Sequence, residues 1–109
     1  MELETLVYEK QGALGMVTLN RPQRMNAINR QMVGELARLL EEVEADGGVR
    51  VIVVTGARSA FSSGADIKER VENEDSAEMQ RLGLGRVLRR MERMQQVFIA
   101  AVHGYALGG

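Results

Sequence analysis

Two apolar, β-branched runs set the terms for this chain: Val49-Arg50-Val51-Ile52-Val53-Val54-Thr55 and Val97-Phe98-Ile99-Ala100-Ala101-Val102. A half-exposed strand alternates apolar and polar residues. A near-continuous run suits a strand covered on both faces, as in a parallel sheet. Each run follows a stretch with helical spacing. From Asn29 onward Met32, Leu36, Leu39/Leu40 and Val43 fall on one face. Asn29 is placed to cap that helix and Gly47-Gly48 to stop it. A second long helix is predicted to open at Asp75 or Ser76, with Met79, Leu82, Val87/Leu88, Met91 and Met94/Gln95 on its apolar side. Gly83 and Gly85 inside it each cost about 1 kcal/mol relative to alanine, and are read as close packing or an irregular turn.

Upstream, Leu6-Val7-Tyr8 and Met16-Val17-Thr18-Leu19 flank Gln11–Gly15 and read as a hairpin. Asn20-Arg21-Pro22, with the only proline, marks a loop. A loop is predicted over 56–64, a short helical segment from Ala65 or Asp66, and a loop over 103–109. Hairpin, helix, strand, helix, strand is an α/β order, which implies parallel pairing through right-handed crossovers. Ligands of such sheets bind beyond the carboxyl ends of the strands. Both glycine-rich loops, 56–64 and 104–109, are expected on that edge.

Composition narrows the function classes. A length of 109 residues fits one small domain. Fourteen basic against fifteen acidic residues give a net charge of −1, so no overall basic field grips nucleic acid or an anionic membrane. The chain has no cysteine, which excludes disulfides, thiolate metal sites and a cysteine nucleophile. A single histidine, His103, excludes a multi-histidine metal site within one chain, and no metal is expected. Glu2 and Glu4 follow Met1 where a secretory signal would carry positive charge. The apolar stretch 97–102 is far too short to span a bilayer. These features lead to an expected cytoplasmic location. The chain stops at Ala106-Leu107-Gly108-Gly109, directly after an apolar run. It is read either as a frayed tail or as a chain cut inside a longer fold.

Chemistry centres on two segments. Phe61-Ser62-Ser63-Gly64-Ala65-Asp66-Ile67-Lys68-Glu69 follows a strand through a short loop into a helix. Gly64 permits a conformation that a Cβ obstructs. The residues after it are placed to aim backbone N–H groups into a cleft, with a helix N-terminus adding partial positive charge. An ordinary strand–loop–helix turn is the plainer reading. His103-Gly104-Tyr105-Ala106-Leu107-Gly108-Gly109 repeats the plan, but it is neither a G-x-G-x-x-G fingerprint nor a P-loop. Two such loops together could direct two N–H donors at one developing oxyanion.

Four segments in order carry a resemblance: Val17-Thr18-Leu19-Asn20-Arg21-Pro22 with Met25-Asn26-Ala27-Ile28-Asn29; Val51–Gly56; Phe61–Lys68; and Ile99–Gly109. The chain resembles the crotonase (enoyl-CoA hydratase/isomerase) superfamily over nearly its whole length. The last two motifs in tandem are specific. The resemblance implies a partial crotonase-like ββα spiral, with residues 1–109 as the N-terminal part of such a domain. It implies backbone oxyanion-hole donors at Ala65 and Gly109. It also implies acyl-CoA contacts at Met25, Ala27, Ala65, Asp66, Ile67, Lys68 and Gly109. No separate cofactor is implied, because coenzyme A is part of the substrate. The implied partners are an acyl-CoA thioester and further copies of the chain, as a trimer or hexamer. The family's two catalytic glutamates would both fall after Gly109. Val97 stands where the family commonly has proline, and His103 where asparagine is common. The implied reaction is addition of water to a 2-enoyl-CoA, with the 109 residues alone expected to be inactive. The competing class is a non-catalytic CoA-thioester-binding or assembly fragment.

Other residues have plainer readings. His103 is expected to hold backbone more readily than to act as an acid or base. Ser62 and Ser63 would need a neighbouring base to serve as nucleophiles, and only His103 is available for a serine-hydrolase reading. Asp66 and Glu69 read as helix-start charges before they read as an acid/base pair. Arg81, Arg86, Arg89, Arg90 and Arg93 make the second long helix locally basic. That stripe could attract a coenzyme A phosphate or face a neighbouring subunit, and by default is a solvated face.

Overall fold

The computed structural model describes residues 2–64 and 74–106, with side chains throughout except those of 74–82 and 105. Strands β1 (Leu6–Gln11) and β2 (Leu14–Leu19) pair antiparallel around a tight turn, longer at both strands than the apolar runs alone indicate. A 3-10 turn at Pro22–Arg24 leads to helix α1 (Arg30–Ala45). Asn29 caps α1 as its residue type suggests, its side chain accepting from the Met32 amide at 2.9 Å. Strand β3 (Val51–Gly56) lies parallel to β2. Helix α2 (Glu74–Arg93) delivers strand β5 (Val97–Ala100), parallel to β3 on its other side. The sheet order is therefore β1-β2-β3-β5.

The core lies between this sheet and the two helices. Met32, Leu39, Leu40 and Val43 of α1 pack with Leu6, Val17, Leu19 and Ile52, and α2 adds Val87. Burying a side chain of this size is worth about 1.5–3 kcal/mol. That stripe therefore outweighs the weak intrinsic stability of an isolated sixteen-residue helix. Gly83 lies in continuous helix, and a Cβ there would come within 3.1 Å of Val33 Cγ1. Of the two sequence readings, close packing is the one observed at Gly83, whereas a Cβ on Gly85 would meet only the Arg89 side chain, at 3.5 Å.

Three expectations need correction. The loops predicted over 56–64 and 103–109 contain strands β4 (Ala60–Ser62) and β6 (Tyr105–Ala106), which pair parallel in a second small sheet. They are too short for a two-residue alternation to be visible. Glycine makes the junctions possible. A Cβ on Gly56 would overlap the carbonyl oxygens of Ala60 and Phe61, and one on Gly104, at φ +60°, would overlap that of Ser59. Second, β5 ends at Ala100 and is not enclosed: Val97 is 58% exposed and Ile99 50%. Third, β3 buries Ile52 and Gly56 while its other residues are only half-buried. The exposed apolar surface of the sheet lies on β5, its edge strand. The short helical segment expected from Ala65 or Asp66 lies outside the described residues.

Candidate functional site

Parallel strands bring their carboxyl ends to one edge, so the segments following β2, β3 and β5 meet there. Backbone hydrogen bonds join them in sequence. Ala57 N donates to Leu19 O at 2.9 Å, Ala101 N to Val54 O at 2.8 Å, and Phe61 N to His103 O at 2.9 Å. Residues 56–64 and 103–106 thus sit on the edge where the strand order put them. Residues 25–28 run alongside 62–64: Ser63 N donates to Met25 O at 2.9 Å, and Ile28 N to Gly64 O at 2.7 Å. Met25, 39% exposed, and buried Ala27 therefore flank the strand end that leads to Ala65.

Asn26 locks this junction. It is 0% exposed and left-handed, at φ +55°. Its Oδ1 accepts from Arg21 N at 2.8 Å, and its Nδ2 donates to Ala57 O at 3.0 Å and Ala60 O at 2.8 Å. Asparagine tolerates this backbone better than most residues, and its amide engages three peptide groups. Ser62 Oγ donates to Asn26 O at 2.9 Å and accepts from Gly64 N at 3.0 Å. Gly64 itself lies at φ +92°. Neither Asn26 nor Ser62 was singled out for this positioning role from the sequence; a polar residue inside an Arg-Pro turn motif looks like an exposed turn.

The side chains weighed as nucleophile and base do not meet. His103 Nε2 donates to Arg58 O at 2.8 Å, Ser62 is engaged as above, and Ser63 Oγ donates to Arg24 O at 3.4 Å. Histidine holds backbone here, and no Ser–His hydrogen bond is present among the described residues. Among the described residues, the titrations that shift also lie elsewhere. Asp46 is held low, first by the Lys10 hydrogen bond and then by the Gly48 amide, while Tyr8 is raised mainly by burial. Both belong to the opposite edge, where β1 turns and β3 begins. Arg86, Arg89, Arg90 and Arg93 border an open hollow of about 420 Å³. Since α2 ends just before β5 starts, this hollow too is remote from the carboxyl edge. Arg90 pairs there with Glu44 at 3.1 Å.

Beside the junction lies an apolar groove of about 440 Å³, bordered by Ile28, Phe61, Ser62, Leu84, Leu88 and Ala106 among others. Its size is that of a small-molecule site. No group of three or more His, Cys, Asp or Glu able to hold a metal occurs among the described residues. The same residues contain no helix long and apolar enough to cross a membrane. Ala65, Asp66, Ile67, Lys68 and Gly109 lie outside the described residues.

Residues 9–109 match the enoyl-CoA hydratase/isomerase family. Over 112 aligned residues the chain is 39% identical to the short-chain-enoyl-CoA hydratase of Clostridium acetobutylicum, covering all of this chain and 42% of that protein. It is 37% identical to the crotonyl-CoA hydratase of Syntrophomonas wolfei, covering 43% of it. Its fold superposes on an enoyl-CoA hydratase/carnithine racemase from Magnetospirillum magneticum with a TM-score of 0.88 at 35% identity, over 98% of this chain and 42% of that one. An enoyl-CoA hydratase/isomerase from Xanthobacter autotrophicus gives 0.86 at 34% identity, covering 94% and 40% respectively. The chain belongs to the enoyl-CoA hydratase/isomerase family and has the crotonase fold. It spans about two fifths of the length of the relatives it matches.

Proposed function

We propose that this chain forms the oxyanion-hole half of an enzyme that adds water to a 2-enoyl-CoA. The observation that carries the reading is the parallel pairing of β4 with β6 at the carboxyl edge, with Ser62 opposite Ala106. In sequence, Ala65 comes three residues after Ser62 and Gly109 three after Ala106. Two paired strands therefore lead into the two motifs at equal chain distance, about 10 Å at most. Two N–H donors converging on a thioester carbonyl stabilise the negative charge that builds there when water adds to the 2,3-double bond. Met25, Ala27 and residues Asp66 to Lys68 would flank the coenzyme A portion, and the apolar groove would take the acyl chain. Proton transfer needs a positioned acid and base, and in this reading the rest of the protein supplies them. The complete enzyme would assemble from several copies.

The test measures hydration of a short 2-enoyl-CoA by the 109-residue chain and by the full-length protein containing it. Turnover by the full-length protein only is expected. Turnover by the short chain at the full-length rate would overturn the assignment of acid and base elsewhere. Thioester binding without turnover by the full-length protein would favour a non-catalytic binder.

A further inference from the structure

Resting on the acyl-thioester reading above, we propose that Ser62 is a positioning residue: its hydroxyl, anchored on the Asn26 carbonyl, fixes the direction of the peptide that follows Gly64. Both polar backbone groups of Gly64 are already engaged. Its N–H donates to Ser62 Oγ at 3.0 Å, and its carbonyl accepts from Ile28 N at 2.7 Å. In a planar trans peptide the carbonyl and the next N–H point in opposite directions. Binding the Gly64 carbonyl to residue 28 therefore fixes the plane of the peptide that Gly64 opens. At φ +92° glycine has no Cβ to restrain the backbone, so the hydrogen bonds must do so.

A serine hydroxyl has one proton to donate and lone pairs to accept. Ser62, 5% exposed, spends its proton on Asn26 O at 2.9 Å and accepts from Gly64 N. Asn26 is in turn fixed by three hydrogen bonds of its own amide. The chain of contacts runs from the 21–28 turn through one hydroxyl to Gly64. Hydrogen bonds weaken steeply once the donor angle falls toward about 120°. Freeing Gly64 to rotate would thus cost carbonyl polarisation more than binding.

The test uses the full-length protein containing this chain, as wild type, Ser62→Ala, Ser62→Thr and Thr5→Ala. Thr5 loses a buried hydroxyl bond to Glu35, outside the Asn26–Ser62–Gly64 chain of contacts, and controls for general destabilisation. Two quantities are read: kcat and KM on a 2-enoyl-CoA, and the infrared carbonyl band of a bound, isotopically labelled saturated acyl-CoA. Ser62→Ala is expected to lower kcat about tenfold, a fraction of the loss for deleting a donor outright, with KM little changed and the band moved toward its position in free ligand. Ser62→Thr restores both, and Thr5→Ala changes neither. An unchanged band and kcat in Ser62→Ala, or equal changes in Thr5→Ala, would overturn the inference alone. A wild-type band unmoved by binding would overturn the acyl-thioester reading, and the inference with it.

Discussion

Asn26 shows how one side chain converts a turn into a scaffold. With no exposed surface, it satisfies three peptide groups from two stretches, Arg21 in its own turn and Ala57 and Ala60 more than thirty residues on. The same economy shapes the proposed chemistry, which depends on a backbone N–H and so is insensitive to most side-chain changes at its position. Proline is the exception, because it removes the donor. Ala65→Pro in the full-length protein is expected to lower kcat for enoyl-CoA hydration by about 10²–10³. Ala65→Ser is expected to stay within about tenfold of wild type, since it keeps that donor. Steady-state kinetics on both variants, with circular dichroism to establish folding, decides it; equal activity in Ala65→Pro would remove Ala65 from the oxyanion hole.

At the scale of elements, polar contacts set how α1 meets the hairpin. Glu35, 2% exposed in the middle of α1, accepts from Glu4 N and Thr5 N at 3.0 Å and from Thr5 Oγ1 at 2.9 Å. Glu35→Leu leaves these donors without their acceptor and is expected to cost about 2–3 kcal/mol in denaturant unfolding. Glu35→Gln keeps an acceptor oxygen and should cost less. At the far end of α1, Lys10 Nζ reaches Asp46 Oδ2 at 2.6 Å. That pair holds the Asp46 carboxyl below its ordinary range. A depressed carboxyl stabilises the fold above its unfolded pKa, about 3.9, and the contribution is lost as pH falls through the folded value. Asp46→Asn is therefore expected to flatten the slope of unfolding free energy against pH below about pH 4. Neutral-pH stability should change little, because the pair is half-exposed. An unaltered acid slope would contradict the assignment.

Across the whole molecule, the conspicuous feature is the apolar surface on and after β5. Val97, Ile99 and Val102 are each at least half exposed, next to the 440 Å³ groove. An apolar strand at a sheet edge also presents unpaired backbone groups to other chains. The 109-residue chain is expected to self-associate at micromolar concentration, and Ile99→Lys to reduce that association, as read by sedimentation velocity. A monomeric wild-type chain would show that this surface is inert.

Strand–helix alternation, the Asn29 cap, the apolar stripe of α1 and the two glycine-bearing motifs were all legible in the sequence, because each depends on residues a few positions apart. The parallel order followed from the same local patterns and put the strands that lead into both motifs on one edge. Pairing of β4 with β6, the burial of Asn26 and Glu35, and the hydroxyl bridge at Ser62 were not legible. Each joins residues some thirty or more positions apart through short polar segments with no periodicity of their own. Exposure of β5 was hidden for a related reason: an apolar run records that a strand can be buried, while the elements packed around it decide whether it is.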